Sequence, residues 1–194
     1  MTRSDLRLIL CDLLVWPAIL AFREQYPDVE LDLQFDDRFS DWVAERVDVG
    51  FRGGVPRDGR LIARRLLPVQ LLVCASPAYL AAHGTPKSID DLLGHLCTGY
   101  RQANTGRVAP WVFRVGKETV YRDVPAVFCS SDPDVETEAV VAGIGIGQLG
   151  SFTAVPLIRA GKLVPLLTQN VGDTQGLYML RTANSDASSI SRVH

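Results

Sequence analysis

The residues best suited to chemistry are Ser130-Ser131-Asp132-Pro133, two hydroxyls and a carboxylate ahead of Asp134-Val135-Glu136-Thr137-Glu138-Ala139-Val140-Val141-Ala142-Gly143. Asp132 before Pro133 predicts a helix start: the carboxylate accepts from the free amides of a first turn, and proline takes the one position where a missing N–H costs nothing. Asp134, Glu136 and Glu138 then sit where the macrodipole favours acid, Val135, Ala139 and Ala142 share one face, and Gly143 supplies the stop. Hydroxyls beside helix-terminal amides make a polar mouth suited to a carboxylate or another small anion, so this stretch predicts one wall of a ligand cleft. Asp48-Val49-Gly50-Phe51-Arg52-Gly53-Gly54 offers the opposite wall, because a strand running into glycines is where open α/β sheets bind ligands.

Other chemistries do not assemble. His83, His95 and His194 are too scattered for a Ser-His-Asp or Cys-His arrangement, and no convergent acid/base pair supports an enzyme such as a dehydratase. Cys11, Cys74, Cys97 and Cys129 form no C-x-x-C or Cys/His cluster, which argues against zinc and a disulfide framework and for a reducing compartment. Cys97 and Cys129 read as buried strand cysteines rather than a redox pair. Gly145-Ile146-Gly147-Gln148-Leu149-Gly150 matches G-x-G-x-x-G, yet it follows a helix, and Leu163 to Leu167 carries no acid for a ribose. A buried strand whose glycines permit close packing is the expectation, with neither cofactor nor metal.

Helices and strands must position these groups. Val15, Ile19, Phe22 and Tyr26 recur at helical spacing up to Pro27, and Val29, Leu31, Leu33 and Phe35 alternate with polar residues as a half-buried strand does. A short helix with Phe39, Trp42, Val43 and Val47 follows. Leu61 to Leu67 and Val69 to Ala75 predict two strands broken at Pro68; Ser76-Pro77 opens a helical turn, and Ser88 with Asp91 approximates a capping box. Leu96 to Tyr100 is read as a strand, Trp111 to Val124 as a hairpin, Ile144 to Leu149 as a strand, Phe152 to Ala160 as a helix, and Leu163 to Leu167 and Leu177 to Leu180 as the last strands. Trp42 and Trp111 are expected to pack rather than to stack on a ligand.

Composition sets the limits. The 194 residues, 47% of them hydrophobic and 22% charged, can bury a core in one domain or two small lobes. A net charge of -2 offers no basic surface for phosphates, so DNA contact would need another domain. Asp12 interrupts the apolar run from Leu8 to Phe22, which therefore reads as neither signal peptide nor membrane span.

Tyr26-Pro27-Asp28-Val29-Glu30-Leu31-Asp32-Leu33, Val47-Asp48-Val49-Gly50-Phe51-Arg52-Gly53-Gly54, Leu61-Ile62-Ala63-Arg64-Arg65-Leu66 and Leu72-Val73-Cys74-Ala75-Ser76-Pro77-Ala78-Tyr79-Leu80 occur in this order, with His83-Gly84-Thr85-Pro86 after them. Gly143-Ile144-Gly145-Ile146-Gly147 and Gly161-Lys162-Leu163-Val164-Pro165-Leu166-Leu167 continue the pattern. As a set, spanning roughly Trp16 to Arg181, they resemble the effector-binding domain of LysR-type transcriptional regulators. The resemblance implies an α/β, periplasmic-binding-protein-like (type II) fold of two Rossmann-like subdomains with a ligand cleft between them. One lobe would hold residues 1–74 plus 175–194 and the other 75–174.

By position, the resemblance implies effector contacts at Arg52, Gly53, Ser76 at the crossover, Tyr100, Arg101, Ser130, Ser131, Asp132 and Gln148. It implies a non-enzymatic, cytoplasmic homodimer that binds a small-molecule effector, plausibly a carboxylate, without cofactor or membrane. The family's winged helix-turn-helix has no counterpart in this sequence, so DNA would be reached only through a domain outside the chain. A solute-binding protein of the same fold would require export, and a dimerisation module with a defunct cleft is the other alternative.

Overall fold

The computed structural model describes residues 16–33, 48–53, 61–102, 105–172 and 175–182. Helix α1 (Trp16–Gln25) and strands β1 (Gly50–Gly53) and β2 (Leu61–Val69) come first, then β3 (Leu71–Ala75) and α2 (Pro77–His83). They are followed by β4 (Cys97–Tyr100), β5 (Trp111–Val115), β6 (Glu118–Arg122), β7 (Ala126–Ser130) and α3 (Pro133–Val141). Strand β8 (Gly147–Gly150), α4 (Ser151–Arg159), β9 (Val164–Leu166) and β10 (Gln175–Thr182) complete the order. The hairpin, the Ser88 capping box and the Asp132 cap are all present as the sequence predicts. Ser88 Oγ accepts from Asp91 N at 3.3 Å and Asp91 Oδ2 accepts from Ser88 N at 3.1 Å, the reciprocal pair that starts the 3-10 turn Asp90–Gly94.

Among the described residues two three-stranded sheets carry the architecture, and they share no strand. The first is antiparallel in the order β1-β10-β2; the second runs β8-β3-β9, also antiparallel. Strands β4 and β7 pair in parallel, and pairing continues from β4 toward β8 through the Cys97–Ile146 bridge, with Thr98 N donating to Ile146 O at 2.7 Å. The chain passes from the first sheet to the second at Gln70, because residues 71–74 already pair with β8 or β9. Gln70 is tied to the start of α4 in both directions: Ser151 N donates to Gln70 O at 2.8 Å, and Gln70 N donates to Ser151 Oγ at 3.3 Å.

The core follows from β3, a continuous apolar run covered on both faces. Val73 and Ala75 join Tyr79, Leu92, Trp111, Phe113, Ile146 and Leu166 on one side. Cys74 joins Val140, Leu149, Ala154 and Leu163 on the other. Tyr79 fastens α2 to this core: its hydroxyl accepts from Leu96 N at 2.9 Å and donates to Leu96 O at 3.3 Å. Burial pushes the Cys74 thiol up to about 12 and that of Cys97 up to about 11, so both act as small apolar side chains.

Three expectations change. Residues 29–33 lie outside any strand, with Val29, Leu31 and Leu33 exposed; alternation gives two faces, but a strand also needs a partner edge, and no described segment supplies one. Pro68 does not break β2, which among the described residues pairs only with β10, the edge position where a strand tolerates proline. Val135 points outward on α3, while Glu136, Ala139 and Val140 are buried. The expected helix around Trp42 lies outside the described residues.

Candidate functional site

The site is built from strand directions. Because β4 and β7 are parallel and Cys97 meets Ile146 in parallel, Tyr100, Ser130 and Gly150 all finish at one edge of the second sheet. Gly150 pairs with Leu71 beside Gln70, so that edge is the one nearest the passage between the sheets. In the first sheet Gly53 pairs with Leu177, which also pairs with Leu67 close to the same passage. The strand ends carrying Arg52 and Gly53, and those carrying Tyr100 and Ser130, therefore each lie at the Gln70 end of their own sheet. Carboxyl ends of strands are where α/β sheets bind ligands, since loops there leave amides and side chains unpaired by the ladder.

Local geometry at that edge is polar and well tied. Ser130 O accepts from Arg101 N at 2.7 Å, which joins the two strand ends, and Tyr100 lies opposite Ser130 in the ladder. Ser130 Oγ accepts from Asp132 N at 2.9 Å, and Asp132 Oδ1 accepts from Asp134 N at 2.9 Å and Val135 N at 3.2 Å. These bonds make Asp132 the N-cap and use the first amides of α3, while the Ser130 hydroxyl proton remains available to a ligand. Ser131 is exposed. Arg101 is also exposed and donates from Nη1 to Gly106 O at 2.8 Å, holding the loop that returns through Val108 to β4.

Two sequence-predicted contacts do not join this group. Ser76 lies just past the far end of β3, five residues and about 16 Å of extended chain away from Leu71. There it is 3% exposed, caps α2 through Tyr79 N at 3.2 Å, and borders Gly143 at the other end of α3. The chain changes sheets at Gln70 rather than at Ser76, whose hydroxyl is engaged as a helix cap. Gln148 is half-buried in β8, and both polar atoms of its carboxamide bind Val112: Oε1 accepts from Val112 N at 2.9 Å and Nε2 donates to Val112 O at 2.8 Å. It braces β5 against β8.

Sequence reasoning missed Glu136. The residue is 3% exposed, and its carboxyl accepts from Thr98 Oγ1 at 2.8 Å, linking α3 to β4. Burial pushes its pKa up to about 7, and the Thr98 hydroxyl offsets part of that shift. The available signal was the spacing Glu136, Ala139, Val140, which describes a helix face as well as Val135, Ala139, Ala142 does. A shallow apolar groove of about 350 Å³, lined by Leu67, Pro68, Val69, Ser151, Phe152, Val155 and Pro156, flanks the passage and contains none of the predicted contacts. Among the described residues no group of His, Cys, Asp and Glu could hold a metal ion, and no helix is long and apolar enough to cross a membrane.

Known proteins share both sequence and geometry with this chain. A family model described as the LysR substrate binding domain matches residues 9–193. The HTH-type transcriptional regulator CrgA of Neisseria meningitidis serogroup C (strain 8013) is 33% identical over 160 residues, covering 82% of this chain and 52% of that protein. The chain thus spans about half the length of the curated relatives it matches. The regulatory domain of CrgA from Neisseria meningitidis superposes with a TM-score of 0.71 at 30% identity, over 90% of this chain and 85% of that one. The regulatory domain of AphB in Vibrio vulnificus does so with a TM-score of 0.71 at 28% identity, over 89% and 86%.

Proposed function

The chain belongs to the LysR substrate-binding domain family, and from that membership we propose that it is the effector-sensing part of a cytoplasmic transcriptional regulator. It is a regulatory domain and not an enzyme, in keeping with the relatives it matches. The effector is a small metabolite with a carboxylate, held between the strand ends that lie at the Gln70 end of each sheet. Arg52 and Gly53 form one wall; Tyr100, Arg101, Ser130, Ser131 and Asp132 form the other. The two lobes are the unit around the β1-β10-β2 sheet and the unit from β3 to β9. A homodimer, and DNA contact through an adjoining helix-turn-helix domain, complete the regulator.

The observation that carries this reading is that the ends of β1, β4 and β7 lie at the passage side of their sheets. Arginine and serine residues in the segments at such ends suit a carboxylate better than a neutral ligand. Binding would regulate only through different affinities for two arrangements of the lobes.

The test is a thermal-shift series on the chain with the sodium salts of acetate, succinate, citrate and benzoate, repeated on Arg52→Ala and Ser130→Ala. A ligand at 100 times its Kd adds about 2.7 kcal/mol of stability, so a true effector class raises Tm measurably. Both substitutions should reduce that rise. If every wild-type shift survives in both variants, the site assignment fails.

A further inference from the structure

The buried pair of Glu136 and Thr98 joins the two segments assigned above as one wall of the effector site. Thr98 lies two residues before Tyr100 on β4, and Glu136 lies one turn after Asp132 on α3. The hydrogen bond from Thr98 Oγ1 to Glu136 Oε1, 2.8 Å long, is therefore a direct tie behind the strand end and the helix cap. Thr98 is 0% exposed, so the tie is sealed from solvent on the strand side.

Space around the tie is closed by β8. A Cβ added to Gly147 would lie 2.8 Å from Thr98 Oγ1 and 2.4 Å from Val140 Cγ2, so only a glycine lets β8 approach this closely. The elements packed most closely on α3 are β4, β7, β8 and β3. Their titratable groups are Cys97 and Tyr100, Cys129, and Cys74, while α3 itself carries Asp134 and Glu138 after its Asp132 cap. None of these four elements holds a lysine, arginine or histidine, so among the described residues they set no cation against a carboxylate at position 136.

We propose that Glu136 is a positioning residue whose tie to Thr98 sets the spacing of the Ser130–Asp132 turn and the Tyr100–Arg101 strand end, so that gaining or losing a proton there shifts the wall and changes anion affinity. This rests on the effector reading for its consequence, but not for the movement itself. With the proton on, the carboxyl is neutral and fits the closed space. With the proton off, a buried charge draws the helix start toward solvent and loosens the spacing. Burial supports the assignment by raising the carboxyl pKa to about 7, within the physiological range.

The test is an NMR titration of the ligand-free 194-residue chain from pH 5.5 to 8.5, following the amides of Gly99, Tyr100, Arg101, Asp132 and Thr137. They should shift with one common midpoint near 7 in the wild type and stay flat in Glu136→Gln. Thr98→Val should move the midpoint upward, because it removes the hydroxyl that favours the charged form. A wild type without the common midpoint, or a midpoint that persists in Glu136→Gln, overturns the proposal.

Binding of benzoate, succinate and citrate at pH 6 and pH 8 separates this inference from the effector reading. Tighter binding at pH 6, by about threefold or more and absent in Glu136→Gln, supports both. Equal affinity at the two pH values overturns the coupling and leaves the effector reading standing. A common midpoint with no anion bound at either pH supports the proton-driven movement and counts against the effector reading.

Discussion

Gln148 holds Val112 by both polar atoms of its side chain, accepting from the backbone N–H at 2.9 Å and donating to the carbonyl at 2.8 Å. The carboxamide thus imitates a neighbouring strand and fastens the β5–β6 hairpin onto β8, from within a segment that formally matches a nucleotide-binding glycine pattern.

Removing that brace should destabilise the chain without touching the site. Gln148→Ala leaves a buried N–H and C=O unpaired, at about 1–3 kcal/mol, and Gln148→Glu should cost at least as much because a carboxylate then faces the Val112 carbonyl. Urea denaturation at pH 7.5 reads the loss as a lower midpoint with an unchanged slope.

Glu136 should make stability fall as pH rises. Its folded pKa of about 7 lies above the ordinary 4.5, so below 4.5 both states hold the proton and no penalty exists. Between those values the unfolded chain ionises while the folded one does not, and stability declines; above 7 the penalty is constant, on the order of 3 kcal/mol. Glu136→Gln should be more stable than wild type at pH 8 and equal to it near pH 4.5, measured by urea midpoints at each pH.

Buried thiols should resist alkylation. With pKa values near 12 and 11, Cys74 and Cys97 hold about one thiolate in a thousand or fewer at pH 8. Iodoacetamide followed by peptide mass spectrometry should find both unmodified in the native chain and modified in urea. The half-buried Cys129 should react before either.

Glycine substitutions should sort by the space behind them. Gly147→Ala puts a methyl 2.4 Å from Val140 Cγ2 and should cost about 1–3 kcal/mol. Gly94→Ala has nothing within 4 Å and should be nearly neutral by the same denaturation assay.

The cap on α3 should be worth about 1 kcal/mol. Asp132→Ala removes the acceptor for Asp134 N and Val135 N, whereas Asp132→Asn keeps it and should retain most of the stability. Thermal melts of the two variants make the comparison.

What the amino-acid order determined by itself was local: where Asp132-Pro133 starts a helix, where Ser88 and Asp91 cap each other, where Gly143 ends α3, and which ordered set of motifs marks the family. Such features depend on residues within one or two turns, whose geometry the backbone dictates. Tertiary structure decided what depends on partners distant in the chain. It turned Val135 outward and Glu136 inward, because two helix faces were equally consistent with the spacing and only β4, with Thr98 on it, selects between them. It set the passage between sheets at Gln70 and left Ser76 just past the far end of β3, because strand pairing, not motif position, sets where a chain changes sheets. It bound Gln148 to Val112, because a carboxamide with both donor and acceptor is satisfied by whichever backbone the fold brings against it.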